Sequence, residues 1–328
     1  MPPSHRHRRD FLATGLALGA LSGVASAPQR TAADDATAPL PIDQRAKAKL
    51  RLCSQLRGWI PGKSDAEKMK QIKNWGMEAV EAAGSIGQNH EAAKLLKKMA
   101  DDAGLKVSVI CGGVGPGPCS GDPEEARQGL DKLKKSLDVA AILECNGVIF
   151  VPAFNREQEK LNRTHQQLRQ SLIDIDPNTK EIKGGFLKEA GDYAASLKTN
   201  VILEPLNRKE AWFLRQIADA ASICRDTQSE GVKTMGDFYH MFYEETCDMG
   251  AFISGGKYVK HVHFGSGNKR IMPGQDPAQS FVSGFRGLKF IGYQDFMSFE
   301  CGCLGGDDKG AEEVPKVLDF IRKSWEEA

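Results

Sequence analysis

The chemistry in this chain sits at the ends of apolar runs in its second half. Glu204 closes Val201-Ile202-Leu203, and Asp237 closes a run that starts at Val232, with His240 three residues on. His261 and His263 stand two apart within residues 259–264, and Glu300 closes Phe296-Met297-Ser298-Phe299. A carboxylate directly after apolar residues does not sit in a dry core unpaired. Several of them converging on one place would repel each other without a cation. Glu204, Asp237, His263 and Glu300 together offer three carboxylates and one imidazole. That hard, mixed oxygen and nitrogen set suits one divalent ion with positions open for a substrate, with Mn²⁺, Mg²⁺ or Co²⁺ ahead of Zn²⁺. Taken singly, each glutamate would read as a salt-bridge or helix-start acid, and His261 as a supporting or core histidine. Their recurrence at successive run ends points to a shared metal site.

Such a site needs elements that bring the run ends together. The hydrophobic pattern alternates strand-like and helix-like segments over about 280 residues. Strands are expected over 50–56, 77–82, 107–111, 147–151, 201–204, 232–237, 259–264 and 295–300. Helices are expected over 65–75 (with Ser64 as N-cap), 91–103, 123–143, 157–173, 186–197, 211–225, 241–253, 277–287 and 312–325. This is an α/β alternation of the size of a (β/α)₈ TIM barrel, in which chemistry gathers at the C-terminal ends of the strands. A doubly wound open sheet shares the alternation, but no Gly-x-Gly-x-x-Gly follows the first strand. The Gly/Pro-rich stretch 112–117 leads into another loop and is a weak phosphate cradle. An Asp-Pro-Asn turn at 176–178 splits the long link between the fourth and fifth strands.

The chain has 328 residues, with 44 Lys+Arg, 43 Asp+Glu and a net charge of +1, which argues against nucleic acid or an anionic membrane surface as partner. Its eight cysteines include no Cys-x-x-Cys, which removes the usual support for a zinc ribbon or a thioredoxin-type motif. Arg6, Arg8 and Arg9 precede residues 12–27, which carry no charge and end in Val24-Ala25-Ser26-Ala27. This run is too short to span a bilayer and reads as a cleavable export signal. Arg8-Arg9-Asp10-Phe11-Leu12 resembles a twin-arginine signal, so periplasmic export of a folded protein is expected. The division is therefore signal peptide 1–27, linker 28–45 and a single barrel domain over 46–328, with no stable membrane span after processing.

The second half also resembles a known family. The strings Glu204-Pro205-Leu206-Asn207-Arg208 with Glu210, Asp237-Phe238-Tyr239-His240-Met241 with Glu244-Glu245, His261-Val262-His263, and Ser298-Phe299-Glu300-Cys301 are similar to those of the xylose-isomerase-like barrel superfamily. Its sugar isomerase and epimerase branch, which includes tagatose/psicose-type 3-epimerases and hydroxypyruvate isomerases, carries such strings in this order. The resemblance spans about residues 50–326 and is specific between 201 and 303. It implies Glu204, Asp237, His263 and Glu300 as metal ligands. It also implies that Glu204 and Glu300 shuttle the proton from opposite faces of the sugar. His240 and a basic residue after the seventh strand would contact substrate oxygens, and Glu210 would hydrogen-bond the sugar. The family's Asn-Arg-Arg before Pro-Gly is here Asn268-Lys269-Arg270-Ile271-Met272-Pro273-Gly274, one residue longer, so Lys269 and Arg270 both compete for that role. Relatives often form dimers or tetramers, so the resemblance leaves a homo-oligomer open.

Removing a proton next to a carbonyl places negative charge on oxygen, which a divalent cation stabilises, while one carboxylate takes the proton and a second returns it. Epimerisation or aldose–ketose exchange of a sugar or keto-sugar follows. The runner-up is β-elimination from a 3-keto-glycoside in the same pocket. An endonuclease-IV-like phosphodiester enzyme would need more histidines, and a pure sugar-binding barrel would not need two proton-shuttling glutamates. Trp59, Trp75, Trp212 and Phe264 can stack on a sugar. Trp59 and Trp212 are the pocket candidates, and Trp75 is read as core. Cys301 and Cys303 read as packed thiols, Lys94–Lys98 as a solvated face, and Asn162-Arg163-Thr164 as a glycosylation sequon of little weight.

Overall fold

Each expected strand becomes one stave of a closed parallel barrel. The computed structural model describes residues 44–112, 117–154 and 164–328. The staves are β1 (Arg51–Gln55), β2 (Ala79–Ala83), β3 (Lys106–Cys111), β4 (Val148–Phe150), β7 (Val201–Leu203), β8 (Val232–Asp237), β9 (Val259–Phe264) and β10 (Phe296–Phe299). Around the barrel they run β1-β10-β9-β8-β7-β4-β3-β2, so the last strand pairs with the first. A separate antiparallel hairpin, β5 (Asp174–Ile175) and β6 (Ile182–Gly184), lies between β4 and β7. The expected Asp-Pro-Asn turn is its tip, where the Asp176 carboxylate accepts from the backbone N–H groups of Asn178 and Thr179.

Side chains alternate across each stave, which decides what faces the axis. Cys53, Ala79 and Phe296 pack together near the strand starts, and Val109, Ile149, Ile202 and Met235 form the next apolar group. Met235 is opposite His261, and Asp237 is opposite His263, so polar groups replace apolar ones toward the strand ends. The outer faces pack under the helices. Phe264, next to His263, is fully buried among Phe281, Phe285 and Phe299 with ring centroids 5.5–6.0 Å apart. That corrects its reading as a sugar-stacking ring.

The helices are α1 (Asp65–Asn74), α2 (His90–Asp102), α3 (Pro123–Ile142), α4 (His165–Leu172), α5 (Phe186–Ser196), α6 (Ile217–Thr227), α7 (Phe238–Glu244), α8 (Asp248–Gly255), α9 (Val282–Phe290) and α10 (Gly310–Glu327). Ser64 caps α1 as expected by accepting from the Glu67 N–H, and Asp122 caps α3 ahead of Pro123. Four boundaries differ from expectation. The helix expected from 211 begins at Ile217, because Leu214 adopts a positive φ of 62° and the Glu245 carboxylate caps the Ile217 N–H at 2.8 Å. The segment 241–253 is two helices, interrupted at the residue that provides this cap. The helix expected from 277 begins at Val282, because Asp276 forms a turn with the Ala278 N–H and Gln279 is drawn to the Gly267 N–H. The helix expected over 157–173 does not run through Thr164, which is extended and caps α4 in a capping box with Gln167. The expected signal and most of the linker, the centre of the Gly/Pro-rich stretch, and residues 157–163 with part of the sequon lie outside the described residues. Among the described residues, no helix is long and apolar enough to cross a membrane.

Candidate metal and sugar site

Four neighbouring staves deliver the four candidate ligands. Glu204 follows β7, with its N–H bonded to the Phe150 carbonyl. Asp237 ends β8 and also caps α7, accepting from the Tyr239 N–H at 2.9 Å. His263 lies within β9, and Glu300 follows β10 with its N–H on the Phe264 carbonyl. One donor atom from each of Glu204, Asp237, His263 and Glu300 lies within 4.8 Å of the others. The structure thus brings together the whole set expected from sequence.

The electrostatics of the site favour a cation. Glu204 and Asp237 are buried and Glu300 is half-buried beside them, opposed by the Arg270 guanidinium and, at 3.8 Å from Glu300, by Arg57. Arg270 Nη2 lies 2.5 Å from Glu300 and 3.2 Å from Asp237. Burial pushes Asp237 up to about 6 even with Arg270 beside it. Burial and the Glu300 charge also raise Glu204. Burial alone would raise Glu300, but His263 and Arg270 outweigh it and hold Glu300 at about 2. His263 Nδ1 is buried 2.9 Å from Glu300 and 3.7 Å from Glu204, yet it makes no hydrogen bond. An orphaned imidazole nitrogen facing three carboxylates is the donor pattern that fits a divalent ion.

The other expected contacts divide unevenly. His240 is buried with Nδ1 accepting from the Asn207 backbone N–H at 3.1 Å, which places its proton on Nε2. Nε2 faces inward, 3.5 Å from Asp237 and 4.0 Å from Glu204. Burial lowers its pKa, so the ring is a neutral donor. Glu210 is tied to the same group through the Asn207 side-chain amide at 3.2 Å. Arg270, not Lys269, faces the site: Lys269 is exposed, while Arg270 packs 4.6 Å from the Tyr239 ring centroid and donates to the Glu300 carbonyl. Trp212 is half-buried, with a buried Nε1 that has no hydrogen-bond partner. Trp59 is not a pocket residue. It is buried, its indole N–H donates to the Cys301 carbonyl at 2.9 Å, and it packs on Trp75 and Phe299.

Several contributors were given no role from sequence, although Asn207, Arg208 and Glu244 lie in the strings that carry the resemblance. Glu81 on β2 reaches both histidines of β9 and is fully buried. Asn207 orients His240, and Arg208 latches its loop to Glu244 through the side chain at 2.9 Å and the backbone N–H at 2.6 Å. A cavity of about 860 Å³ opens beside Glu300, lined among others by Gln55, Arg57, Ser85, Asn89 and Cys111. Glu81 did carry the same signal as the ligands, an acid inside an apolar strand. The lining of the first three staves carried none.

Comparison with known proteins follows this geometry. The chain is 27% identical over 274 residues to 3-dehydro-D-guloside 4-epimerase of Escherichia coli, covering 83% of this chain and 99% of that protein. It is 25% identical to D-psicose 3-epimerase of Agrobacterium fabrum, covering 78% of this chain and 89% of that one. Among solved structures, 3-keto-D-glucoside 4-epimerase from E. coli superposes with a TM-score of 0.69 at 23% identity, over 84% of this chain and all of that chain. A D-psicose 3-epimerase solved with D-fructose gives a TM-score of 0.65 at 18% identity, over 84% of this chain and 99% of that one. The sequence profile of the xylose isomerase-like TIM barrels matches residues 69–324, and the chain belongs to that family.

Proposed function

We propose that this protein is a divalent-metal-dependent sugar epimerase acting on a keto-sugar. The observation that carries the reading is the set Glu204, Asp237, His263 and Glu300, gathered within 4.8 Å around an orphaned imidazole nitrogen. Its curated relatives are epimerases of a keto-guloside and of psicose, which favours return of the proton over β-elimination. Bound at these donors, a divalent cation supplies the Lewis acidity that stabilises negative charge on a substrate oxygen. The oxygen-rich donor set favours Mn²⁺, Mg²⁺ or Co²⁺ over Zn²⁺.

The chain's own groups supply the rest. Glu204 and Glu300 stand on staves separated by β8 and β9, so a sugar between them meets a carboxylate on each side. His240 Nε2–H donates to a substrate oxygen, and Glu210 accepts from a hydroxyl. Arg270 holds Asp237 and Glu300 in place. Trp212 offers a ring face and an unused N–H.

The test is metal content and solvent-deuterium incorporation by the purified protein offered ketoses and keto-glycosides. One ion per chain and deuterium at the epimerised carbon are expected. Glu204→Gln and Glu300→Gln should each lower turnover by about 10²–10⁴-fold, the usual contribution of a positioned acid or base, and should weaken metal binding. A folded protein that takes up none of the four ions would overturn the reading.

A further inference from the structure

The barrel interior holds a buried carboxylate that this chemistry does not use. Glu81 sits on β2 between Val80 and Ala82, with its side chain sealed from solvent. Its ion-pair partners among the described residues are both histidines. Oε2 is 3.0 Å from His261 Nε2 and 3.1 Å from His263 Nε2, and Oε1 is 3.2 Å from the latter. Oε1 also accepts from the Gln55 side-chain amide at 2.6 Å. β2 pairs with β1 and β3, and β9 pairs with β8 and β10, so these contacts cross the barrel interior.

An ionised carboxylate can only accept hydrogen bonds. Each Nε2 that faces Glu81 must therefore carry a hydrogen. In His263 this leaves Nδ1 as the nitrogen facing Glu204 and Glu300, and Nδ1 is the atom without a hydrogen bond. The geometry points to Glu81 as a positioning residue. By accepting from His263 Nε2–H across the barrel, it fixes the ring tautomer and tilt that aim the Nδ1 lone pair at the carboxylates of the metal site. His261, held by the same oxygen with its ring centroid 4.9 Å from that of His263, keeps Glu81 from rotating away. The inference rests on the metal site of the proposed function.

A rival role is written in the same atoms. Glu81, Cys111 and His263 also have donors within 4.8 Å of one another and could hold a second ion. The hydrogen bonds argue against it. The oxygens of Glu81 are already engaged by two imidazole N–H groups and an amide, and His263 presents Nε2–H, not a lone pair, on that side. The Cys111 thiol lies 3.3 Å from the Gln55 amide and lines the cavity, so it has other company.

The experiment is calorimetric titration of Mn²⁺ and Co²⁺ into metal-stripped protein, for the wild type and for Glu81→Gln, Glu81→Asp and Cys111→Ser. One ion per chain is expected in all four. Glu81→Gln should bind about 10–100-fold more weakly, the usual cost of losing a ligand's hydrogen-bond partner. Glu81→Asp should recover part of the loss, and Cys111→Ser should match the wild type. The Co²⁺ spectrum should lack a thiolate charge-transfer band. A folded Glu81→Gln of unchanged affinity overturns the inference alone. So does a second ion lost in both Glu81→Gln and Cys111→Ser, because Glu81 would then be a ligand. A wild type that binds no ion overturns both this inference and the metal site. Should Glu81→Gln not fold, ¹⁵N NMR of wild-type protein loaded with Mg²⁺ decides: His263 protonated at Nε2 is expected, and protonation at Nδ1 overturns the assignment.

Discussion

Asp237 carries an unequal load among the four donors. It caps α7, pairs with Arg270 and faces His240, yet burial still raises it to about 6. A ligand must lose its proton before it binds, so metal uptake competes with that proton. His263 is also raised, because the charges of Glu81 and Glu300 outweigh burial, so affinity for Mn²⁺ should fall as pH is lowered across 5–8 and most steeply below about 6, as measured by titration. Uptake unchanged down to pH 5 would remove Asp237 from the ligand set. All four candidate ligands were legible in sequence because each is an acid or imidazole at or next to the end of a strand-like run, at four successive strands. The choice of Arg270 over Lys269 was not legible, since it depends on Arg270 taking a positive φ of 50° and turning its side chain back to the strand ends. Glu81, Asn207 and Arg57 act through partners 26 or more residues away, except for the local Asn207–Glu210 contact, and no local pattern announces such pairs.

At the scale of elements, α8 shows a conflict that can be measured. Asp248 opens this helix in a half-buried position, and burial raises its carboxyl to about 6. A folded-state value above the unfolded one means that the folded state resists ionisation. The penalty is absent below pH about 3.8, grows as pH rises, and is fully imposed above about 6. Asp248→Asn should therefore stabilise the protein at pH 7–8 by about 1–2 kcal/mol and change nothing near pH 3.5, read by urea unfolding at both values. Equal effects at the two pH values would tie the residue to a role other than its charge. The staves and most helices were legible from period and caps. The β5–β6 hairpin was not, because strands of two and three residues leave no alternation to read. The shortened start of α6 was not legible either, because its cap comes from Glu245, 28 residues downstream.

For the whole molecule, the proposed metal would link loading to stability. An ion that binds only the folded chain stabilises it by about 2.7 kcal/mol at a hundredfold excess over its Kd. For a barrel of this size, chelation should lower Tm by about 5 °C, and restoring Mn²⁺ should reverse the change in a thermal scan. We also propose that the folded protein is exported to the periplasm, on the strength of Arg8-Arg9-Asp10-Phe11-Leu12 and the uncharged run after it. Replacing Arg8 and Arg9 with lysine should retain the protein inside the cell, as read by fractionation and by the mass of the processed chain. Export that persists would point to a general secretory signal instead. These two expectations meet in the order of the donors along the chain. Glu204, Asp237, His263 and Glu300 come from the last four staves, and the fourth donor follows the strand that zips onto β1. No nascent chain offers the complete coordination sphere before its final strand has been made. Under the proposed function, metal capture would then wait for the closing strand, and a loaded ion would report a closed barrel.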